Sequence, residues 1–501
     1  MHDIIFCSLP YSNLDHLYSA PAVLKGVVTA NNYQAKTVDF GLTLLDLCDR
    51  DLNLFNRVQT YFISPRNLTS HREEKILDLF YKEILDFFKK NPARYIGISI
   101  FSVYTHKSAA EVISMLRDHK IDAKIIVGGR GAKAPLYSNI NLNIAVTTLD
   151  KTIEYGNLLK KKKLIDHVVF GDGEDAIIEI LRGNSIPEDT NNRTETFTYP
   201  LPNYDDYNFD SYLTDHNNNI PFPITGSKGC IRDCDFCDIK YQMGKYRYRN
   251  GSHIANEMLY IAEKYGFRKF QFTDSLVNGG LKTLEEFCMI IADHNLKNPN
   301  KKIIWSGSYI CRPETEMPKR LYKLMAESGA EGLTIGAESG SNHVLKIMNK
   351  RTTVEALYSE LEQFRQHGIT CVLLTFVGHW SETFDDFIDT CKMLVRILPY
   401  VRSGTISGVS LGVLAKLDGS SEDIIEKYHI RLDKELGKSM WVSELNPTNT
   451  LKERIYRRLI ISRLAKELKI PCVQEYTNLL DLSLFIELSY NQINKFHNDY
   501  V

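Results

Sequence analysis

Gly229-Cys230-Ile231-Arg232-Asp233-Cys234-Asp235-Phe236-Cys237 sets three thiols at the spacing C-x3-C-x2-C on a short, glycine-led stretch. The chain has ten cysteines in 501 residues. At that density a given three-cysteine spacing arises by chance in roughly one such chain in a few hundred. Structural zinc takes four ligands, usually as two spaced pairs. No second C-x2-C and no H-x3-H follows, and the nearest downstream candidate is His253. Incidental buried thiols are a second reading. The third is an iron–sulfur cluster, in which three thiolates leave one of four irons open. An open metal position is what a catalytic site requires.

Outward from this loop the chain alternates apolar runs with helical periods. Runs at 222–225, 269–273, 302–306, 332–335, 370–376 and 404–410 predict strands, and helices between them stop at Gly266, Gly329 and Gly368. Glycine just past a helix takes the left-handed conformation cheaply. Six such units suit a parallel sheet curled into a partial barrel over 221–410, with its site at the C-terminal strand ends. Upstream, runs at 4–7, 35–40, 96–101, 124–127 and 167–170 alternate with helical stretches such as 73–90 and 108–119. That rhythm predicts a doubly wound α/β domain over 1–185. Small-residue turns follow three of these strands at 7–10, 128–131 and 171–174, where ligands bind in open α/β sheets. Residues 186–220 lose the rhythm and read as a linker. Residues 411–501 read as mainly helical, with patterns at 451–468 and near the end.

The formal net charge is −1 and hydrophobic residues make up 43%. No global field points to nucleic acid or to an acidic membrane. The opening MHDIIFCSLPYS lacks the basic region of a signal peptide, and no stretch reaches the roughly 18 apolar residues of a membrane span. The remaining cysteines are scattered singly, which fits a reducing cytoplasm better than a disulfide framework.

The nine residues of the cysteine loop, with Phe236 just before the third thiol, resemble the radical S-adenosylmethionine superfamily. The resemblance implies that Cys230, Cys234 and Cys237 hold a [4Fe–4S] cluster. It implies that S-adenosylmethionine chelates the open iron and is cleaved reductively to a 5′-deoxyadenosyl radical. The stretch Thr334-Ile335-Gly336-Ala337-Glu338-Ser339-Gly340-Ser341, continuing to Lys350, resembles the superfamily's fourth-strand motif. Gly336, Glu338 and Ser339 are therefore cofactor candidates, against the plainer reading of Glu338 as a solvated loop carboxylate. Phe272-Thr273-Asp274-Ser275 stands where many members carry Gly-Gly-Glu. Thr273, Asp274 and Ser275 offer acceptors there, or a helix cap. Ser306 and Arg312 end the third strand, and Arg312 is a candidate for the methionine carboxylate. In Phe376-Val377-Gly378-His379-Trp380-Ser381-Glu382-Thr383, Trp380 replaces the family's usual proline. This turn reads as structural, with Ser381 or Thr383 capping the next helix. Lys245, Arg247 and Arg249 alternate with Tyr246 and Tyr248, a candidate anion site or a solvated basic face.

The first domain resembles that of the cobalamin-binding class of the same superfamily, through Ile126-Val127-Gly128-Gly129, Gly171-Asp172-Gly173-Glu174 and Tyr204-Asp205-Asp206-Tyr207. The likeness spans about residues 1–410. It implies cobalamin contacts at Ser8, Ser102, Gly128, Gly129, Gly171, Gly173 and Glu174, along turns that include Ser12 and Tyr104. The D-x-H-x-x-G motif is absent, and Asp15-His16 lacks its spacing and glycine. A base-off cobalamin without a protein histidine is the expectation. The implied activity is methyl transfer to an unactivated carbon, or a phosphinate phosphorus, of a small metabolite. The implied electron donor is a flavodoxin or ferredoxin. A ring-forming oxidoreductase without methyl transfer is an alternative within the superfamily. A metal-binding or redox-sensing module is one outside it.

Overall fold

The structure, a computed structural model, describes the chain except residues 12–13, 15–16, 64–69, 137–152, 188–193, 213–220, 238, 240–242, 314, 414–421, 434–436 and 474–501. It divides into two units, Met1–Pro223 and Ile224–Val501.

In the first unit, strands β1 (His2–Ser8), β2 (Ala35–Asp39), β3 (Ala93–Ser99), β4 (Lys124–Gly128) and β5 (His167–Val169) form one parallel sheet of order β2-β1-β3-β4-β5. The strands are apolar because helices cover both faces of a parallel sheet. Helices Ser19–Ala30 and Gly173–Leu181 pack Val27, Val28, Ile177 and Ile180 against Ile4, Phe6 and Ile126. The strand order reverses between β1 and β3, which makes their C-terminal ends the switch point of the sheet.

The stretch 186–220 departs from its reading as a linker. Its described residues fold onto the first unit. Asp206 accepts from the Thr37 amide at 2.8 Å and from Lys25 Nζ at 2.5 Å, and Tyr212 donates to Asp39 at 3.0 Å. Gly26 permits the approach, since a Cβ there would lie 2.3 Å from the Leu201 carbonyl oxygen. The segment lacks periodicity because tyrosine rings and single hydrogen bonds anchor it, and no helix or strand face does.

Strand β6 (Phe222–Ile224) straddles the unit boundary. The two-residue strands β7 (Ser227–Lys228) and β8 (Arg247–Tyr248) pair antiparallel around the cysteine loop. Then β9 (Lys269–Phe272) and β10 (Ile304–Ser306) join β6 in one sheet, while β11 (Ser308–Tyr309), β12 (Leu333–Glu338), β13 (Cys371–Val377) and β14 (Ile406–Val413) form a second. Only Gly307 separates β10 from β11, so the two sheets continue one another in the order β6-β9-β10/β11-β12-β13-β14. These are the six βα units expected of a partial barrel. Gly266, Gly329 and Gly368 all have positive φ, at +82°, +87° and +71°, as their helix-ending role requires. Phe272, Phe287 and Trp305 meet edge-to-face at 5.4–5.7 Å and pin helix Leu281–Lys297 to β9 and β10.

The last region is not helical throughout. A hairpin of β15 (Ile430–Asp433) and β16 (Gly437–Ser443) precedes helix Leu451–Glu467. The second helical pattern, near the chain end, lies outside the described residues. This region encloses the turn after β13: Trp380 is fully buried among Tyr428, Trp441 and Ile424. Beside it Glu382 and Arg457, both buried, pair at 2.8 Å. Burial pushes the Glu382 carboxyl up to about 7 despite the guanidinium.

Removing one partner of such a pair leaves an uncompensated charge. Arg457→Met should cost about 3–5 kcal/mol at pH 8. Chemical denaturation read through tryptophan emission reports this unit directly, since all three tryptophans are buried in it. The double variant with Glu382→Gln should recover much of the loss.

Candidate active site

The cysteine loop leaves β7 through Gly229, whose φ is +80°. A Cβ there would stand 2.9 Å from the Lys245 carbonyl oxygen, so only glycine lets the chain turn beside the returning strand. The base of the loop is clamped from below. Asp274, buried at the end of β9, accepts from the Gly226 amide at 2.8 Å and the Ser227 hydroxyl at 2.6 Å. Its carboxylate is thus committed to the base of the loop. Burial pushes its proton affinity up to about 7, against the hydrogen bonds that favour the anion.

The loop then docks on the turn after helix Asn342–Ile347. Asp235 N donates to Met348 O at 3.2 Å, and Asn349 Nδ2 donates to Asp233 O at 2.9 Å. Cys234 is buried, while Cys230 and Cys237 are half-buried. Burial raises the Cys234 thiol to about 12, with Lys350 opposing and Glu338, Cys237 and Cys230 adding to the rise. The three thiols therefore share one electrostatic neighbourhood. Among the described residues no three His, Cys, Asp or Glu side chains are already drawn into a metal-holding group.

Two observations make the loop fit an iron–sulfur cluster. The donors are three thiols on one loop. Between the first and second of them, Arg232 carries Nε and Nη2 buried without a hydrogen-bond partner. A buried guanidinium with open N–H groups suits an anionic neighbour such as a thiolate-bound cluster or a carboxylate.

Glu338 meets Lys350 at 2.5 Å in a buried pair beside this loop. The pair passes over Gly336, where a Cβ would lie 2.5 Å from Glu338 Oε1 and 2.6 Å from Lys350 Nζ. Glu338 itself has φ of +60°, an uncommon conformation for a residue with a side chain. Glu338 is thus no solvated loop carboxylate. Phe236 stacks edge-on against Phe376 of β13 at 5.1 Å. Ser339 is buried and bonds to Thr390 and to Ser341 N.

Other candidates divide. Thr273 is exposed at its strand end and shares a 2.8 Å hydrogen bond with Thr225; Ser275 and Ser306 are half-buried nearby in sequence and register. Arg312 does not point at a free carboxylate. It donates to the Asn278 and Gly279 carbonyls at 2.7 and 2.8 Å and pairs with Glu316. Of the three basic residues after the loop, Arg249 is buried against Glu257 at 2.6 Å, Arg247 is buried, and Lys245 alone is exposed. Thr383, not Ser381, caps helix Phe384–Arg396, in a capping box with Asp386.

No motif reading singles out Asp235. This residue between the second and third cysteines is buried and accepts from Tyr428 at 2.5 Å, with His379 Nε2 at 3.4 Å and Lys427 Nζ at 3.6 Å. Trp380 in place of proline was the one available signal, since a buried indole demands a cover.

In the first unit, Ser8 is buried and Ser102, Gly128 and Glu174 are half-buried at the strand ends. Gly129 and Gly171 have φ of +101° and +112°. At the switch point Phe101 and Tyr104 are 61% and 42% exposed, an unusual display of aromatic surface. The histidine of this face, His106, is committed elsewhere: Nε2 lies 2.8 Å from Gly131 O and the ring stacks on Tyr155 at 3.9 Å. Ser12 and His16 lie outside the described residues.

A six-unit barrel with a three-cysteine loop at its first turn defines a class of metalloenzyme. Residues 224–394 match the model of the radical SAM superfamily. It is 24% identical over 288 residues to an uncharacterized methyltransferase of Pyrococcus horikoshii, PH0819, covering 53% of this chain and 60% of that one. It is 24% identical over 278 residues to an anaerobic magnesium-protoporphyrin IX monomethyl ester cyclase of Synechocystis, covering 52% and 54%. The chain thus spans little more than half the length of these relatives. Its fold is that of TsrM of Kitasatospora setae, a radical S-adenosylmethionine methyltransferase solved with cobalamin and a [4Fe–4S] cluster. The TM-score is 0.57 at 14% identity, covering 82% of this chain and 75% of TsrM.

Asp274 carries a pH signature. Its folded affinity of about 7 lies above the ordinary value of 3.8. Its contribution to stability is full below about pH 4 and is lost as pH rises through about 7. Between pH 5 and pH 8 the wild-type melting temperature should fall further than that of Asp274→Asn. Parallel curves for the two proteins would leave the carboxyl charged in the fold.

Proposed function

We propose that this chain is a cobalamin-dependent radical S-adenosylmethionine methyltransferase acting on a small metabolite. The observation that carries the reading is the cysteine loop itself, with the buried, unpartnered Nε and Nη2 of Arg232, docked beside the Glu338–Lys350 pair. When bound, the cluster with S-adenosylmethionine would supply a 5′-deoxyadenosyl radical, and cobalamin would supply the methyl group. Cys230, Cys234 and Cys237 would hold three irons. Glu338, its Oε1 held by Lys350, would offer its second oxygen to a cofactor hydroxyl or ammonium. Thr273, Ser275 and Ser306 would line the open strand ends. In the first unit, Gly129 and Gly171 would let backbone approach a large flat ring, with Phe101 and Tyr104 as apolar floor. The missing D-x-H-x-x-G motif supports base-off binding. Likeness to the magnesium-protoporphyrin ester cyclase favours a second reading, an oxidative ring closure without methyl transfer. A flavodoxin or ferredoxin as electron donor, and a reducing cytoplasm, follow from either. Among the described residues no helix is long and apolar enough to cross a membrane.

Anaerobic reconstitution should give about four irons per chain. Replacing the three loop cysteines by alanine should abolish them, and replacing Cys288 or Cys391 should not. Full iron in the triple variant would sink the assignment. S-Adenosylhomocysteine formed together with 5′-deoxyadenosine marks methyl transfer; 5′-deoxyadenosine alone marks the second reading.

Cobalamin is tested separately. The reconstituted chain should retain it, and electron paramagnetic resonance of the Co(II) form should show no nitrogen splitting from a protein imidazole. Such splitting would refute base-off ligation, and failure to retain any cobalamin would leave the ring-closing reading.

A further inference from the structure

The loop residue Asp235 is held by no neighbour in its own motif. Its Oδ2 accepts the Tyr428 hydroxyl at 2.5 Å with Lys427 Nζ at 3.6 Å, and its Oδ1 faces His379 Nε2 at 3.4 Å. His379 is fixed in turn by Ser381 Oγ at 2.7 Å from Nδ1. Tyr428 is fixed by packing, its ring 5.0 Å from that of Trp380. Trp380 is sealed by Trp441 and Ile424. Tyr428, Lys427, Trp441 and Ile424 come from residues 422–443, beyond the six barrel units, and His379 and Trp380 from the turn after β13. A buried carboxylate between two cysteines places a negative charge in the low-dielectric surroundings of the loop, and its donors partly neutralise that charge.

We propose that Asp235 and Tyr428 are positioning residues that set the reduction potential of the metal centre held by Cys230, Cys234 and Cys237, so that the C-terminal segment acts as part of that centre's surroundings. This rests on the cluster reading above. The Asp235 charge disfavours adding an electron to the centre, and the Tyr428 hydroxyl moderates it. The two side chains therefore act in opposite directions. A purely structural contact would have no reason to do so.

The experiment is a dithionite titration of the reconstituted full chain without S-adenosylmethionine, followed by electron paramagnetic resonance, in which each centre takes up one electron from dithionite. Asp235→Asn keeps the shape and removes the charge; its midpoint should move positive. Tyr428→Phe keeps the ring in its aromatic packing and removes the donor; its midpoint should move negative. Iron content should equal that of the wild type in both. Shifts of the same sign, no shift, or loss of iron in both variants would each overturn the proposal and reduce the contact to scaffolding. A wild-type chain that takes up no iron and gives no signal would instead overturn the cluster reading, and this inference with it.

Discussion

The ion pair between Glu338 and Lys350 governs the mouth of the second unit. Burying two charges is expensive, and the cost is offset only if geometry is tight and competing water is kept out. At 2.5 Å, with both side chains about nine-tenths covered, that condition is met. Three features of the chain then follow. Position 336 must be glycine, because the pair occupies the space of its side chain. Glu338 must accept a left-handed backbone, because its carboxylate has to turn back over its own strand. The Met348–Asn349 turn must sit where Lys350 ends, and there it presents the carbonyl groups on which the cysteine loop docks.

A second set of buried polar contacts stiffens the barrel mouth. Strand ends leave carbonyl and amide groups without ladder partners, and buried groups of that kind must be paired. Arg312 takes up the carbonyls of Asn278 and Gly279, Asp274 the amide of Gly226, and Glu360 the amide of Arg312 together with the Tyr322 hydroxyl. Arg312 and Asp274 are the charged residues that a motif reading assigns most readily to a ligand. With these charges committed to backbone, the side chains at the strand ends include small hydroxyls such as Thr273, bonded to Thr225, and Ser306, bonded to the Phe270 carbonyl. Rigid charged clamps behind neutral contacts are what a preformed site needs.

How much of this was legible depends on the range of the interaction. The βα rhythm, the glycine stops at 266, 329 and 368 and the cysteine spacing are local patterns, and each has its counterpart in the structure. The pairing of Glu338 with Lys350 spans twelve residues and lay within the quoted motif, yet its close passage over Gly336 is visible only in three dimensions. Asp235 with Tyr428 spans 193 residues, and Asp206 with Lys25 spans 181. No periodicity encodes contacts of that kind. For the same reason residues 186–220 read as a linker, since single tyrosines and one aspartate secure their described part to the first unit.

Trp380 shows how a departure from pattern is repaid in structure. A proline would stiffen the turn after β13 through its fixed φ alone. Tryptophan brings no such constraint, and it adds a large apolar surface that must be covered. The chain meets both needs from downstream. Gly378 adopts φ of +87°, and the aliphatic stem of Arg454 fills the space its missing side chain leaves. The Arg454 guanidinium lies 3.7 Å from the centre of the Trp441 ring, and Asn446 and Asn449 donate to the carbonyls of Trp380 and His379. The turn is thus held by its cover, where a proline would have held it from within. Because His379 and Trp380 are the residues that meet Asp235 and Tyr428, the cover reaches the cysteine loop through the same turn. The C-terminal segment that covers Trp380 is thereby also a neighbour of the cysteine loop.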